Sequence, residues 1–222
     1  MKTVVITGAN RGIGLSLATI YAQQNQVVYA LCRQSSVELA ALGDNVKVIE
    51  GVDVTQDAGI EIMQTRLRGV NIDLLICNAG ILRDERLEHL NLDSIRQQFE
   101  VNALAPLRVV ASLQSHLVNG AKVAMITSRM GSITDNNSGG RYGYRMSKAA
   151  LNAASMSLSH DLAPRQIAVG IYHPGYVQTE MVNYGGDISA TDSASRLIDL
   201  IDALSMETSG VFKHSNGQDL PW

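Results

Sequence analysis

Apolar residues along this chain fall into short, nearly unbroken runs, separated by longer stretches in which apolar and polar positions recur at helical spacing. The runs at 3–7, 27–32, 46–52, 72–78, 121–128, 168–173 and 210–213 predict seven strands. Most lack the alternation of a half-exposed strand. Leu74-Leu75-Ile76-Cys77 and Val123-Ala124-Met125-Ile126 are apolar throughout, as strands covered on both faces are. Segments 13–24, 58–68, 92–116, 143–161 and 191–204 have the length and composition of helices. Strands alternating with helices imply right-handed crossovers and a single α/β domain over residues 1–222, a Rossmann-type doubly wound parallel sheet with helices on both faces. In such sheets ligands bind outside the carboxyl ends of the strands, so the loops there matter most.

Composition removes several function classes. The 222 residues are 45% hydrophobic and 18% charged, enough for one well-formed core and unlike a disordered chain. A formal net charge of −3 and the lack of any Lys/Arg run give no attraction to nucleic acid or anionic membrane, so neither is expected as a partner. The first apolar run ends at Ile6, too short for a signal-peptide core, and no stretch approaches the roughly 20 apolar residues of a membrane span. A cytoplasmic location is the expectation. Cys32 and Cys77 each sit in or after an apolar run and read as buried reduced thiols. The five histidines are scattered and no metal site is expected; no Gly-x-Ser-x-Gly elbow suggests a serine hydrolase.

The first strand leads into Thr7-Gly8-Ala9-Asn10-Arg11-Gly12-Ile13-Gly14 and then a helix. Gly8 permits the sharp turn, Gly12 a close approach to a pyrophosphate, and Gly14 close packing of helix on strand, while the helix N-terminus offers free N–H groups. An NAD site usually has an acidic residue at the end of the second strand to hold the ribose hydroxyls. Here Cys32-Arg33-Gln34 offers a cation. Arg33, with Arg11 as a second cation, suits a 2′-phosphate and so NADP(H). Asp53 stands where a carboxylate meets an adenine amino group, or is a plain turn residue.

Further pieces recur along the chain: Asp53-Val54, Cys77-Asn78-Ala79-Gly80, Asn102, Ser128 at the end of the fifth strand, Tyr144-x3-Lys148 and Pro174-Gly175-x3-Thr179. Together with the glycine turn, and in this order, they make the chain resemble the short-chain dehydrogenases/reductases of the classical type over nearly its whole length. The resemblance implies catalytic roles for Asn102, Ser128, Tyr144 and Lys148. It implies that NADP(H) is held by Gly8, Asn10, Arg11, Gly12, Ile13, Gly14, Arg33, Asp53, Val54, Asn78, Ala79, Gly80, Tyr144, Lys148, Pro174, Gly175, Val177 and Thr179.

Residue chemistry agrees with that assignment. Tyr144 and Lys148 share a helix face, and a nearby cation favours phenolate over phenol, so Tyr144 serves as acid in reduction and base in oxidation. Ser128 is placed to donate to a substrate carbonyl as negative charge grows on its oxygen. Asn102, by the resemblance, holds a water linking Lys148 to solvent. Ser132 remains the alternative to Ser128, because the interval from Ser128 to Tyr144 is longer than the family commonly shows.

Segments 127–133, 144–152, 173–179 and the terminal Leu220-Pro221-Trp222 resemble the sniffer-like carbonyl reductases and the bacterial C-factor group. The function expected is reduction of a small aldehyde or ketone, the partner being a small carbonyl or alcohol substrate. The alternative is a dinucleotide-binding signalling or sensor protein in which catalysis is incidental. By the resemblance, the short segment between Thr179 and the last helix is the lid over the substrate, and with Gly185 and Gly186 it predicts an open or mobile pocket. Alanines in 143–161 suit a homodimer or homotetramer, or equally burial within one subunit.

Overall fold

The computed structural model describes residues 1–222. Seven strands, β1 (Thr3–Thr7), β2 (Val27–Leu31), β3 (Val46–Ile49), β4 (Ile72–Cys77), β5 (Leu117–Ile126), β6 (Ala168–His173) and β7 (Phe212–His214), form one sheet in the order β3-β2-β1-β4-β5-β6-β7. Every pairing is parallel. The chain winds outward from β1 to β3, then returns to place β4 on the other side of β1. The carboxyl ends of β1 and β4 therefore flank the point where strand order reverses, the place where such sheets take ligands.

Neighbouring residues of one strand feed opposite cores, which is why the runs lack alternation. Val5 and Leu75 enter a cluster with Met63, Val109 and Leu151, whereas Val4, Ile6 and Ile76 enter another with Leu17, Tyr21 and Leu197. The first is covered by α3 (Asp57–Arg66), α5 (Ala105–Leu113) and α6 (Tyr142–Asp161), the second by α1 (Gly12–Gln23) and α7 (Ala190–Ala203). Cys32 and Cys77 are buried free thiols, pushed up by burial to about 11 and about 12; neither is a reactive thiolate. No helix is long and apolar enough to cross a membrane.

The expected boundaries shift in places with a physical cause. The helix expected over 92–116 is three segments: α4 (Leu92–Phe99), a π turn (Glu100–Leu104) and α5. Pro106 has no N–H to give the carbonyl of Asn102 four residues earlier, so an α-helical ladder cannot run through, and the chain widens around Asn102. Strand β5 starts at Leu117 rather than 121, because the exposed Asn119-Gly120 bulge lets Leu117 pair with Ile72 and Lys122 with Leu74. A one-turn helix, α2 (Val37–Ala40), lies in a stretch read as loop; Ser36 Oγ caps it by accepting from Leu39 N at 3.1 Å.

Candidate active site

The glycine turn leaves β1 and enters α1 with Gly8 at φ 67 and Gly12 at φ 54. Gly14 tolerates no side chain, since a Cβ there would lie 2.2 Å from the carbonyl oxygen of Gly8. The N–H groups of Gly12, Ile13 and Gly14 make no hydrogen bond within the protein, Arg11 supplies no cap, and no acidic residue stands in the first turn. Unclaimed donors at a helix N-terminus fit a pyrophosphate. Thr179 reaches this turn, its methyl 3.2 Å from where a Gly12 Cβ would be. Arg11, however, is engaged by Glu180 in an ion pair exposed on both sides, a weak association that an anion can displace.

Asn78 locks the ends of β1 and β4 together. Its Nδ2 donates to the carbonyls of Thr7 and Gly8, both at 3.1 Å, while its own N–H and that of Ala79 donate to Thr7 Oγ1 at 3.0 and 3.1 Å. Arg33, after β2, is exposed and makes no ion pair with the protein. Across from it, Asp53 accepts from Thr55 N at 3.0 Å and Thr55 Oγ1 at 2.7 Å. Burial acts to raise its carboxyl, but those bonds and the Arg33 charge prevail and hold it below its ordinary value. Val54 is part of the core beneath.

Ser128, Tyr144, Lys148 and Asn102 are all buried. Lys148 Nζ donates to the Ile126 carbonyl at 2.9 Å and lies 5.8 Å from the centroid of the Tyr144 ring. Burial pushes the ammonium down to about 8. Lys148 is not among the groups that lower the Tyr144 phenol. Burial raises the Tyr144 phenol above its ordinary value, and what opposes it is the Ser128 hydroxyl and the charge of Arg141, the residue just before the helix. Of the two serines, Ser128 is thus the one beside the phenol, its Oγ accepting from Met130 N at 3.1 Å. Ser132 Oγ instead accepts from Asp135 N at 3.0 Å and closes the loop.

Asn102 has both amide hydrogens engaged, by the Ile81 carbonyl at 2.8 Å and Ser147 Oγ at 3.0 Å, while its Oδ1 accepts from Ile81 N at 2.8 Å. The side chain ties the loop after β4 to α6. At the end of β6, Pro174 leads into Gly175, with the Pro174 carbonyl held by Ser193 Oγ at 2.8 Å and Ser215 Oγ at 3.0 Å. Around the segment between Thr179 and the last helix, Gln178 N donates to Ile188 O at 2.9 Å, Asp187 N to Tyr176 O at 2.7 Å and Gln178 Nε2 to Gly186 O at 3.1 Å. These bonds fasten the segment beside Val177, which is buried.

Three residues near the site gave no signal in the sequence. Arg141 donates through Nε to Asp84 at 2.5 Å and places Nη1 3.9 Å from Met130 Sδ. Glu85 is a buried carboxylate in what reads as a solvated charge run, Arg83-Asp84-Glu85-Arg86. His173 ends β6 with its Nδ1 buried and unpartnered. Arg141 meets Asp84 and Glu85 meets Gly143 across more than fifty residues, so only the fold brings them together. No group of ligands suited to a metal ion occurs.

Comparison with known proteins gives a consistent result. Residues 2–187 match the model of the short chain dehydrogenase family. The 1-hydroxy-2-glutathionyl-2-methyl-3-butene dehydrogenase of Rhodococcus sp. (strain AD45) is 40% identical over 228 residues, covering 100% of both chains. The C-signal protein of Myxococcus xanthus is 42% identical over 154 residues, 68% of this chain and 93% of that protein. Among solved structures, the NADPH-bound carbonyl reductase from chicken fatty liver superimposes with a TM-score of 0.92 at 28% identity, covering 100% of this chain and 99% of that one. The glycine turn at the switch point, the buried tyrosine and lysine on one helix, and these matches have one explanation: the chain belongs to the short chain dehydrogenase family.

Proposed function

We propose that the protein is an NADP(H)-dependent carbonyl reductase in which Tyr144 donates the proton, Ser128 binds the substrate oxygen, and Lys148 stands between the phenol and the cofactor ribose. The observation that carries this reading is the convergence of buried Ser128, Tyr144 and Lys148 on the sheet edge that also bears the unclaimed N–H groups of α1. The bound dinucleotide supplies the hydride. Ser128 Oγ, already accepting from Met130 N, keeps its hydrogen for the charge that grows on the carbonyl oxygen. Tyr144, raised by burial, holds its proton at neutral pH and so is a donor in the direction of reduction. With both amide hydrogens of Asn102 engaged, a relay water is left the free lone pair of Oδ1 and the carbonyl that Pro106 deprives of its helical donor. The relatives' carbonyl reductase activity supports the substrate class.

The test is NADPH oxidation by purified protein with a panel of aldehydes, ketones, quinones and diketones. A glutathionyl thioether alcohol with NADP+ belongs in the panel, because the Rhodococcus relative is named for one. Absence of turnover with every member, cofactor being bound, would reject the enzyme reading. It would favour the second one, a dinucleotide-binding signalling protein, which the similarity to C-signal supports.

Cofactor choice rests on Arg33, the cation without a protein partner at the end of β2. Arg33→Asp is expected to weaken NADPH binding by about tenfold or more, since a charge-assisted contact to phosphate is replaced by repulsion, and to improve NADH binding. Fluorescence titration of both nucleotides measures this; an unchanged NADPH affinity would remove Arg33 from the site. A homodimer is also proposed. Leu92, Leu104 and Leu107 are exposed along α4, the π turn and α5, and light scattering would detect the pair.

A further inference from the structure

Tyr144 is the third residue of α6, inside the turn whose N–H groups have no partner in the helix and which frays unless they are capped. The residue in the capping position, Arg141, gives no side-chain cap, as a guanidinium has no acceptor to offer. The acceptor arrives from elsewhere. Glu85, in the loop after β4, accepts through Oε2 from Gly143 N at 3.2 Å. Gly143 is the second residue of the helix, one of the two that an N-cap side chain normally serves. The backbone carbonyl of Glu85 accepts from Arg141 N at 2.9 Å.

The other carboxylate oxygen is held from α4, accepting from Ser94 Oγ at 2.9 Å and Gln98 Nε2 at 2.5 Å. Gln98, itself fully buried, accepts from Arg83 N at 2.9 Å. Glu85 is only 3% exposed and makes no ion pair. Burying a carboxylate without a cation is costly, and here the compensation is three donors and the positive end of a 20-residue helix. The packing is tight around it. A Cβ on Gly143 would lie 2.6 Å from Gln98 Nε2 and 3.0 Å from Ile95 Cα.

We propose that Glu85 is the N-cap of α6, supplied from 58 residues away, and that it is a positioning residue for Tyr144. The functional half of this inference rests on Tyr144 being the proton donor. A displacement of about 1 Å at a reacting group can cost on the order of a hundredfold in rate, and the first turn of a helix is where such a displacement starts.

The test compares the full-length wild type with Glu85→Gln, Glu85→Ala and Gly143→Ala. Hydrogen exchange of the amides at 142–145 is read alongside kcat, KM and NADPH affinity. Glu85→Gln cannot offer acceptors to both helices at once, and is expected to lower kcat about tenfold. Glu85→Ala should lower it further, toward a hundredfold. Both should speed exchange in the first turn of α6 while leaving NADPH affinity within about twofold. Gly143→Ala should repeat this pattern with the carboxylate intact. Unchanged exchange at 142–145 in Glu85→Ala would overturn the capping, and faster exchange with unchanged kcat would overturn the positioning role. Loss of NADPH affinity in parallel with kcat would mean general unfolding and likewise overturn it. If the wild type itself turns over no substrate, the reductase reading and the positioning role fall, while exchange still decides the cap.

Discussion

Replacing Tyr144 with Phe is expected to lower kcat for carbonyl reduction by roughly 10²–10⁴-fold, the usual contribution of a positioned proton donor, with NADPH affinity kept within about twofold. The substitution deletes one oxygen from a side chain that is 8% exposed, so the ring remains to fill its place beside Lys148. The phenol is protonated at neutral pH because burial outweighs the Ser128 hydroxyl and the Arg141 charge. Lys148, brought down to about 8 by burial, is still largely charged at pH 7. The variant therefore keeps the cation and the ring and loses only the transferable proton. Stopped-flow reduction of an aldehyde identified in the panel, paired with nucleotide titration, separates chemistry from binding. Turnover equal to wild type would remove Tyr144 from the reaction and overturn the mechanism proposed for it.

What could be read in the sequence was whatever local pattern determines. Runs such as Leu74-Leu75-Ile76-Cys77 carry no alternation because adjacent residues enter different cores, and that alone identified a doubly covered parallel sheet. The glycine turn was legible because a strand, three glycines and a helix follow one another directly. Tyr144 and Lys148 could be paired because four residues is a helical repeat. The π turn was visible only as Pro106 within an otherwise continuous helical pattern, and its consequence for Asn102 needed the ladder to be traced. The hydrogen bonds between 176–178 and 186–188 were not visible in a segment whose sequence shows only its two glycines. Glu85 was hidden for a different reason. Its partners Ser94, Gln98 and Gly143 come from two helices, and a buried carboxylate has the same sequence signature as a solvated one.

His173 is hidden in the same way, and it is expected to make the protein markedly sensitive to acid. It ends β6 at 7% exposure, stands edge-on to His214 with ring centroids 4.7 Å apart, and leaves Nδ1 without a partner. Burial, then the charges of His214, Arg129 and Lys148, push it down to about 3 from an ordinary value of 6.5. Between those two values the unfolded chain binds a proton that the folded protein refuses. Unfolding free energy therefore rises with pH across that window, by up to about 1.4 kcal/mol per pH unit for one proton. The contribution is fully present above about 6.5 and lost progressively as pH falls toward 3, amounting to a few kcal/mol in a total of roughly 5–15. His214, also depressed by burial and by Arg129 and Arg196, adds a smaller dependence of the same sign. Urea unfolding at pH 4.5, 5.5 and 7.5 should show the slope, and His173→Gln should reduce it by close to one proton. Equal slopes in the two proteins would show that the imidazole charges without penalty. Under the role proposed for Lys148, a neutral His173 also favours the site, because a second cation nearby would depress that ammonium further.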